Sequence, residues 1–211
     1  MAQGSEQNSA MVRALQQQGF ADGKVAKAMR RIDRALFVPE SERQSAYAPI
    51  PLPIGHGQTI SAPTIVAQMS TLLEVHEGMS ILEVGTGSGY QAAILSELAG
   101  REGKVTTIDR IAELIGMAKA NCAKAGCRNI EFMHGNGAKG YEKDAPYDRI
   151  LVAAAAPKIP GALVSQLKEG GIMLIPVGRP DLAELLTVRK LAGEISTEKV
   201  TDVMFVPLVD E

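Results

Sequence analysis

Three glycines at alternate positions, Gly85, Gly87 and Gly89, close the stretch Ser-Ile-Leu-Glu-Val-Gly-Thr-Gly-Ser-Gly that begins at Ser80. A turn without Cβ atoms lets backbone approach a ligand closely. A helix start behind it presents free N–H groups and a partial positive charge. The spacing discriminates between ligands. Dinucleotide folds use Gly-x-Gly-x-x-Gly at this turn, whereas the third glycine here comes one residue early. The acid before the turn, Glu83, would repel a pyrophosphate and favour a cation. S-adenosylmethionine meets both conditions, with its sulfonium, ammonium, small carboxylate and ribose, and no phosphate. A second strand ends in Asp109, an acid positioned to accept hydrogen bonds from ribose hydroxyls. His56 and His134 have no second ligand or acid at a telling spacing, so neither a metal site nor a catalytic histidine is expected.

The elements that must hold these residues follow from periodicity. Ile81-Leu82-Glu83-Val84 reads as a buried strand and Tyr90 to Leu98 as a helix. Further strands are expected over Lys104–Ile108, Asn129–Met133, Asp148–Ala153, Ile172–Val177, Glu184–Arg189 and Thr201–Val206. Helices are expected over Ala10–Gln18, Val25–Ile32, Thr64–Glu74, Ile111–Ala125 and Gly161–Leu167, with Gly126 as a C-cap. The connection through Leu191-Ala192-Gly193-Glu194 is too short for a crossover helix, so the last two strands pair antiparallel. Ligands of such sheets bind outside the carboxyl ends of the strands. Glu83, Asp109, the Asn136 turn and the small residues Ala154-Ala155-Ala156 all fall at that edge. The stretch Tyr47–Pro63, with four prolines, reads as a long irregular loop; its apolar residues argue for a functional loop ending near the pocket.

The 211 residues suffice for a single α/β domain. Within it, residues 1–9 are expected to be disordered, 10–78 to form helices and a substrate loop, and 79–211 to form the cofactor-binding core. A net charge of −2, no tryptophan and few aromatics argue against nucleic acid as a partner. Two cysteines five residues apart suggest small apolar side chains in a reducing compartment. With no apolar run of membrane length, a cytoplasmic protein is expected.

Several segments resemble the protein-L-isoaspartate O-methyltransferase family over nearly the whole chain, from about Val25 to Leu208. They include Phe37-Val38-Pro39, Pro51-Leu52-Pro53-Ile54-Gly55, Gly57-Gln58-Thr59-Ile60-Ser61, Glu83 to Tyr90, Ala154-Ala155-Ala156-Pro157, Ile175-Pro176-Val177-Gly178 and Phe205-Val206-Pro207-Leu208. The glycine loop is common to many methyltransferases; Gly-Gln-Thr-Ile-Ser is far more specific. The resemblance implies a Rossmann-like class I methyltransferase fold: an α/β architecture with a mostly parallel seven-stranded sheet, a terminal antiparallel hairpin, helices on both faces and an N-terminal helical extension. It implies methylation of L-isoaspartyl carboxylates in damaged proteins and peptides, with S-adenosylmethionine consumed and S-adenosylhomocysteine released. A monomer is expected, because the substrates are bulky and varied.

Carried over, the family's active-site serine is Ser61. The cofactor residues are Gln58, Thr59, Ile60, Glu83, Gly85, Thr86, Gly87, Ser88, Gly89, Asp109, Arg110, Gly135 and Asn136. Substrate contacts fall to Ile54, Thr59, Ser61 and Val206. Ser61 also stands where a helix N-cap is expected. Two departures are visible. Asn136 replaces the family's usual aspartate, and Asn136→Asp is expected to leave cofactor affinity equal or better. Ala48-Pro49-Ile50 lacks the acid often found before Pro-Leu-Pro. A methyltransferase of tRNA or of a corrin-like molecule would share the glycine loop and Asp109, but not the Gly57–Ser61 segment.

Overall fold

The computed structural model describes residues 2–210. In chain order its elements are α1 (Ala2–Gln17), α2 (Gly23–Arg31), β1 (Leu52–Gly55), β2 (Gln58–Ile60), α3 (Pro63–Leu72), β3 (Ser80–Val84), α4 (Tyr90–Ala99) and β4 (Lys104–Asp109). Then come α5 (Ala112–Lys124), β5 (Ile130–His134), β6 (Tyr147–Val152), α6 (Gly161–Gln166), β7 (Leu167–Arg179), β8 (Leu182–Leu191) and β9 (Glu194–Val203). Short 3₁₀ turns occupy Arg34–Phe37, Glu40–Ser45, Gly137–Lys139 and Glu142–Asp144.

The seven-stranded sheet has the order β5-β4-β3-β6-β7-β8-β9. Pairings from β5 to β7 are parallel, and β7-β8 and β8-β9 are antiparallel. The order reverses beside β3, so the glycine loop leaves the sheet at its topological switch point, where a crevice opens. Strand alternation divides the core. Ile81, Val105, Leu151, Leu174 and Leu185 pack with Met69 and Leu73 at α3 and with Ala92, Leu95 and Ala99 of α4. Leu82, Val84, Ile150, Val152, Met173 and Ile175 pack on the other face with Leu163 of α6. A further cluster joins α1 and α2 to α4 and α5 through Val12, Met29, Ile94 and Leu114.

Several expectations need correction. Helix α1 covers residues where disorder was expected from polarity; Met1 lies outside the described residues. The buried Asn8 explains the order: its Nδ2 donates to the Met29 carbonyl (2.9 Å) and to that of Arg30 (3.3 Å), filling acceptors that the end of α2 leaves open. The proline-dense loop contains the hairpin β1-β2, with Leu52 opposite Ile60. Proline is tolerated in so short a ribbon because an edge position needs no donor. Strand β7 starts at Leu167, directly after α6 and earlier than the expected Ile172, and shifts register across Gly170 and Gly171. The last strand is Glu194–Val203, earlier than the expected Thr201–Val206. A two-residue turn at Ala192-Gly193, both with positive φ (53° and 76°), sets that hairpin. Helix α5 ends with Gly126 at φ 81°. The Gly126 N–H donates to the Ala123 carbonyl and that of Cys127 to the Cys122 carbonyl, which together form a Schellman close.

Among the described residues no helix is long and apolar enough to cross a membrane. Nor do they gather three or more His, Cys, Asp or Glu side chains that could hold a metal ion.

Candidate active site

One cavity lies at the carboxyl edge of the sheet, and four segments supply much of its wall. The glycine loop contributes Gly85, Thr86, Gly87 and Ser88; the end of β4 contributes Asp109 and Arg110; the β2 loop contributes Gln58, Thr59, Ile60 and Ser61; and the stretch after β9 contributes Phe205 to Val209. Asp109 and Arg110 are the charged residues among its walls. The Asp109 carboxylate shapes the loop from within: Oδ2 accepts from Gly87 N–H and Oδ1 from Ile111 N–H, both at 3.0 Å. Each oxygen keeps a lone pair for a ligand hydroxyl. A nucleoside sulfonium fits these walls: bare glycine backbone, one carboxylate and no cluster of cations that a pyrophosphate would call for.

Arg34 sets the second wall. It is fully buried, with Nε donating to the Ala46 carbonyl (2.8 Å), Nη1 to that of Ser61 (2.8 Å) and Nη2 to that of Ile50 (3.4 Å). Its guanidinium stands 5.3 Å from the centre of the Tyr90 ring, the first residue of α4 after the glycine loop. One side chain therefore joins the Ser61 loop to the glycine loop. Burial pushes the Arg34 pKa down to about 10, so it stays charged at neutral pH. Nothing in the sequence marks Arg34, because an arginine beside a short apolar run reads as a surface residue. The cap of α3 is Ala62, with no side-chain hydrogen bond and with Pro63 at the helix start. The Ser61 hydroxyl is thus not engaged as the cap that its position suggested.

Of the residues singled out from sequence, Gln58, Thr59, Ile60, Ser61, Gly85, Thr86, Gly87, Ser88, Asp109, Arg110 and Val206 share the cavity. Glu83 does not. It alternates to the α4 side of β3 and is fully buried, its Oε2 accepting from Thr107 Oγ1, which in turn meets Thr86 Oγ1 at 2.7 Å. It lies behind the loop and outside the cavity walls, linked to Thr86 through Thr107. Gly89 faces α5: at φ 86° it starts α4, and a Cβ there would lie 2.9 Å from Cys122 Sγ. Gly135 packs on Ile108, and Ile54 is buried against Gly87. Sequence reasoning missed Ile65, Met69, Gln91, Gly137 and, in the tail around Val206, Phe205, Pro207, Leu208 and Val209 as walls. Of these only the Phe205-Val206-Pro207-Leu208 motif carried a signal.

Asn136 is not among the cavity walls; it precedes the wall residue Gly137. Its Oδ1 accepts from the Ala138 N–H (2.9 Å) and its Nδ2 donates to Asp210 Oδ1 (3.0 Å). That second contact bears on Asn136→Asp, since an aspartate there would set two carboxylates against each other.

Burial raises the Glu83 pKa to about 8, with Asp109 adding to the rise and the Thr107 hydrogen bond opposing it. In the unfolded chain this carboxyl ionises in the ordinary range near 4.3. The folded state thus holds the extra proton between those values, and stability should fall as pH rises through that window, by up to about 1.4 kcal/mol per unit. Glu83→Gln, isosteric with the protonated acid, should flatten that slope. Urea midpoints at pH 5.5 and 7.5 read it, and equal slopes in the two proteins would refute it.

Comparisons with known proteins agree with this geometry. The model of the family described as Protein-L-isoaspartate(D-aspartate) O-methyltransferase matches residues 6–211. A protein-L-isoaspartate O-methyltransferase of Methanosarcina mazei is 50% identical over 194 residues, covering 91% of this chain and 79% of its own. Another, of Methanococcoides burtonii, is 47% identical over 199 residues, covering 94% and 98%. Among solved structures, a Plasmodium falciparum chain described as a protein-L-isoaspartate O-methyltransferase, in complex with S-adenosyl-L-homocysteine, superposes with TM-score 0.86 at 26% identity, covering 97% of this chain and 99% of that one.

Proposed function

The chain belongs to the protein-L-isoaspartate(D-aspartate) O-methyltransferase family, and from that premise we propose how its own residues methylate the free carboxylate of L-isoaspartyl residues in proteins and peptides. S-adenosylmethionine, when bound, supplies a methyl group on a sulfonium, already a good leaving group. The observation that carries the reading is the meeting of the Gln58–Ser61 loop and the glycine loop in one cavity.

The chemistry asks little of acids and bases. A substrate carboxylate is ionised at neutral pH, so no residue has to remove a proton from it. What remains is alignment and exclusion of water, which together can account for several kcal/mol of the barrier. Ser61 orients the substrate carboxylate by hydrogen bonding and forms no covalent bond, since no base stands by to activate it. Arg34 is a positioning residue: by holding the Ser61 carbonyl it fixes where that hydroxyl points. Asp109 holds the ribose, while the glycine loop receives the methionine portion. Ile60, Met69 and Val206 keep the space between them dry. The backbone amide nitrogen of the residue that follows then attacks the methyl ester, gives up its proton and expels methanol to close a succinimide, and hydrolysis of that ring returns some normal aspartate.

The setting proposed is a reducing cytoplasm, consistent with Cys122 and Cys127 as free thiols, and a monomer suits substrates of many shapes. The test is transfer of labelled methyl to two peptides, identical except for isoaspartate or aspartate at one position. Base-labile label on the isoaspartyl peptide alone is expected. Cofactor binding without transfer to either peptide would defeat the substrate assignment and leave the pocket standing.

A further inference from the structure

We infer that Asp210 is the carboxylate that receives the exocyclic amino group of the cofactor's adenine, with Asn136 holding it in place. The inference rests on the reading of the cavity as an S-adenosylmethionine site. Across the sheet edge the walls run from the glycine loop after β3, through Asp109 at the end of β4, to the turn after β5. A ligand whose ribose meets Asp109 therefore extends its base toward that turn, where Gly137 and the tail residues Leu208 and Val209 form the wall. Adenine offers an amino donor there and calls for an acceptor, ideally a charged one.

Asn136 is the weaker acceptor, a neutral amide with one of the two acceptor sites of its Oδ1 already engaged. Its Oδ1 already takes the Ala138 N–H at 2.9 Å, and its Nδ2 is turned to Asp210 Oδ1 at 3.0 Å. The negative charge that the turn itself lacks is supplied by Asp210, one residue beyond the wall residue Val209. Asp210 is exposed, and among the described residues no donor meets its Oδ2. An amide at 136 and a carboxylate at 210 are complementary; two carboxylates at this distance would repel.

The experiment measures affinity for S-adenosylhomocysteine and for S-inosylhomocysteine, in which a 6-oxo acceptor replaces the 6-amino donor, on the full chain and on Asp210→Asn. The variant's amide oxygen can still accept from Asn136, so the tail stays anchored, and an unchanged melting midpoint checks this. The expected result is a loss of roughly tenfold or more for the adenosyl ligand, with the inosyl ligand bound as well as before or better. The exchanged pair Asn136→Asp with Asp210→Asn should restore the adenosyl preference. Equal affinities of Asp210→Asn and the unaltered chain for both ligands, or parallel losses for both, would overturn the inference. Failure of the unaltered chain to bind S-adenosylhomocysteine would instead overturn the cavity reading on which it stands.

Discussion

Arg34→Met is expected to lose about 3–5 kcal/mol of stability and nearly all transfer activity. The methionine stem fills much of the arginine's volume, yet three carbonyls, those of Ala46, Ser61 and Ile50, lose their donor at once. A buried acceptor left unpaired costs about 1–3 kcal/mol, and the three losses will not simply add because the loop can relax toward water. Arg34→Lys separates charge from geometry. An ammonium keeps the cation under Tyr90 but cannot span three carbonyls in the plane of a guanidinium. For the lysine variant we expect S-adenosylhomocysteine affinity to stay within about threefold, with a rise in peptide KM of roughly tenfold or more, taking about 1.4 kcal/mol per tenfold for one lost hydrogen bond to the Ser61 loop. Calorimetric binding together with steady-state transfer reads both. A lysine enzyme with normal peptide KM would show that Arg34 serves folding alone.

The second large effect belongs to Gly137. A Cβ at this position would stand 2.4 Å from Val84 Cγ1, far inside any tolerated contact, with Leu208 Cδ1 behind it at 3.7 Å. Val84 is buried at the end of β3 and β-branched, so it has little rotamer freedom with which to yield. Gly137→Ala should cost about 2–4 kcal/mol by overpacking and backbone displacement, and should abolish measurable cofactor binding as the turn is driven into the cavity. Gly116→Ala, in α5 with open space around its Cβ position, is the control and should be neutral or stabilise by about 0.5–1 kcal/mol. If Gly137→Ala melts and binds like the control, the turn is softer than its packing implies.

How much of this was legible beforehand varied with the physics of each segment. Strands β3, β4 and β6 are buried on both faces, with Ile81-Leu82, the β-branched run Val105 to Ile108 and Ile150-Leu151-Val152 at their centres, so their place was plain, and the glycine spacing located the cavity between them. Strand β9 was misplaced because seven of its ten residues, Glu194 to Lys199 and Asp202, are exposed and alternate nothing apolar; only the Ala192-Gly193 turn shows where it must begin. Hairpin β1-β2 was hidden by its own prolines. Glu83 was read as a ligand contact because an acid beside a glycine loop suggests charge pairing, while its strand parity, opposite to that of Val84, turns it away from the opening. Arg34 and Asp210 were invisible for a different reason. Each acts through partners distant in sequence, Ser61 for the one and Asn136 for the other, and no local pattern encodes such a meeting.

The segment after β9 has an implication for how the protein comes into being. The Ala155 N–H donates to the Val206 carbonyl and the Leu208 N–H to the Ala155 carbonyl, both at 2.8 Å, stitching that wall to the end of β6. All seven strands of the sheet precede these residues. A chain growing on the ribosome therefore lacks one side of its cofactor pocket until residues 205–209 emerge, directly behind the last strand. Methyl donor that needs this wall cannot stabilise by mass action a nascent chain that has not reached these residues. The sheet must stand on its own packing first, and ligand binding adds stability only once residues 205–209 have docked.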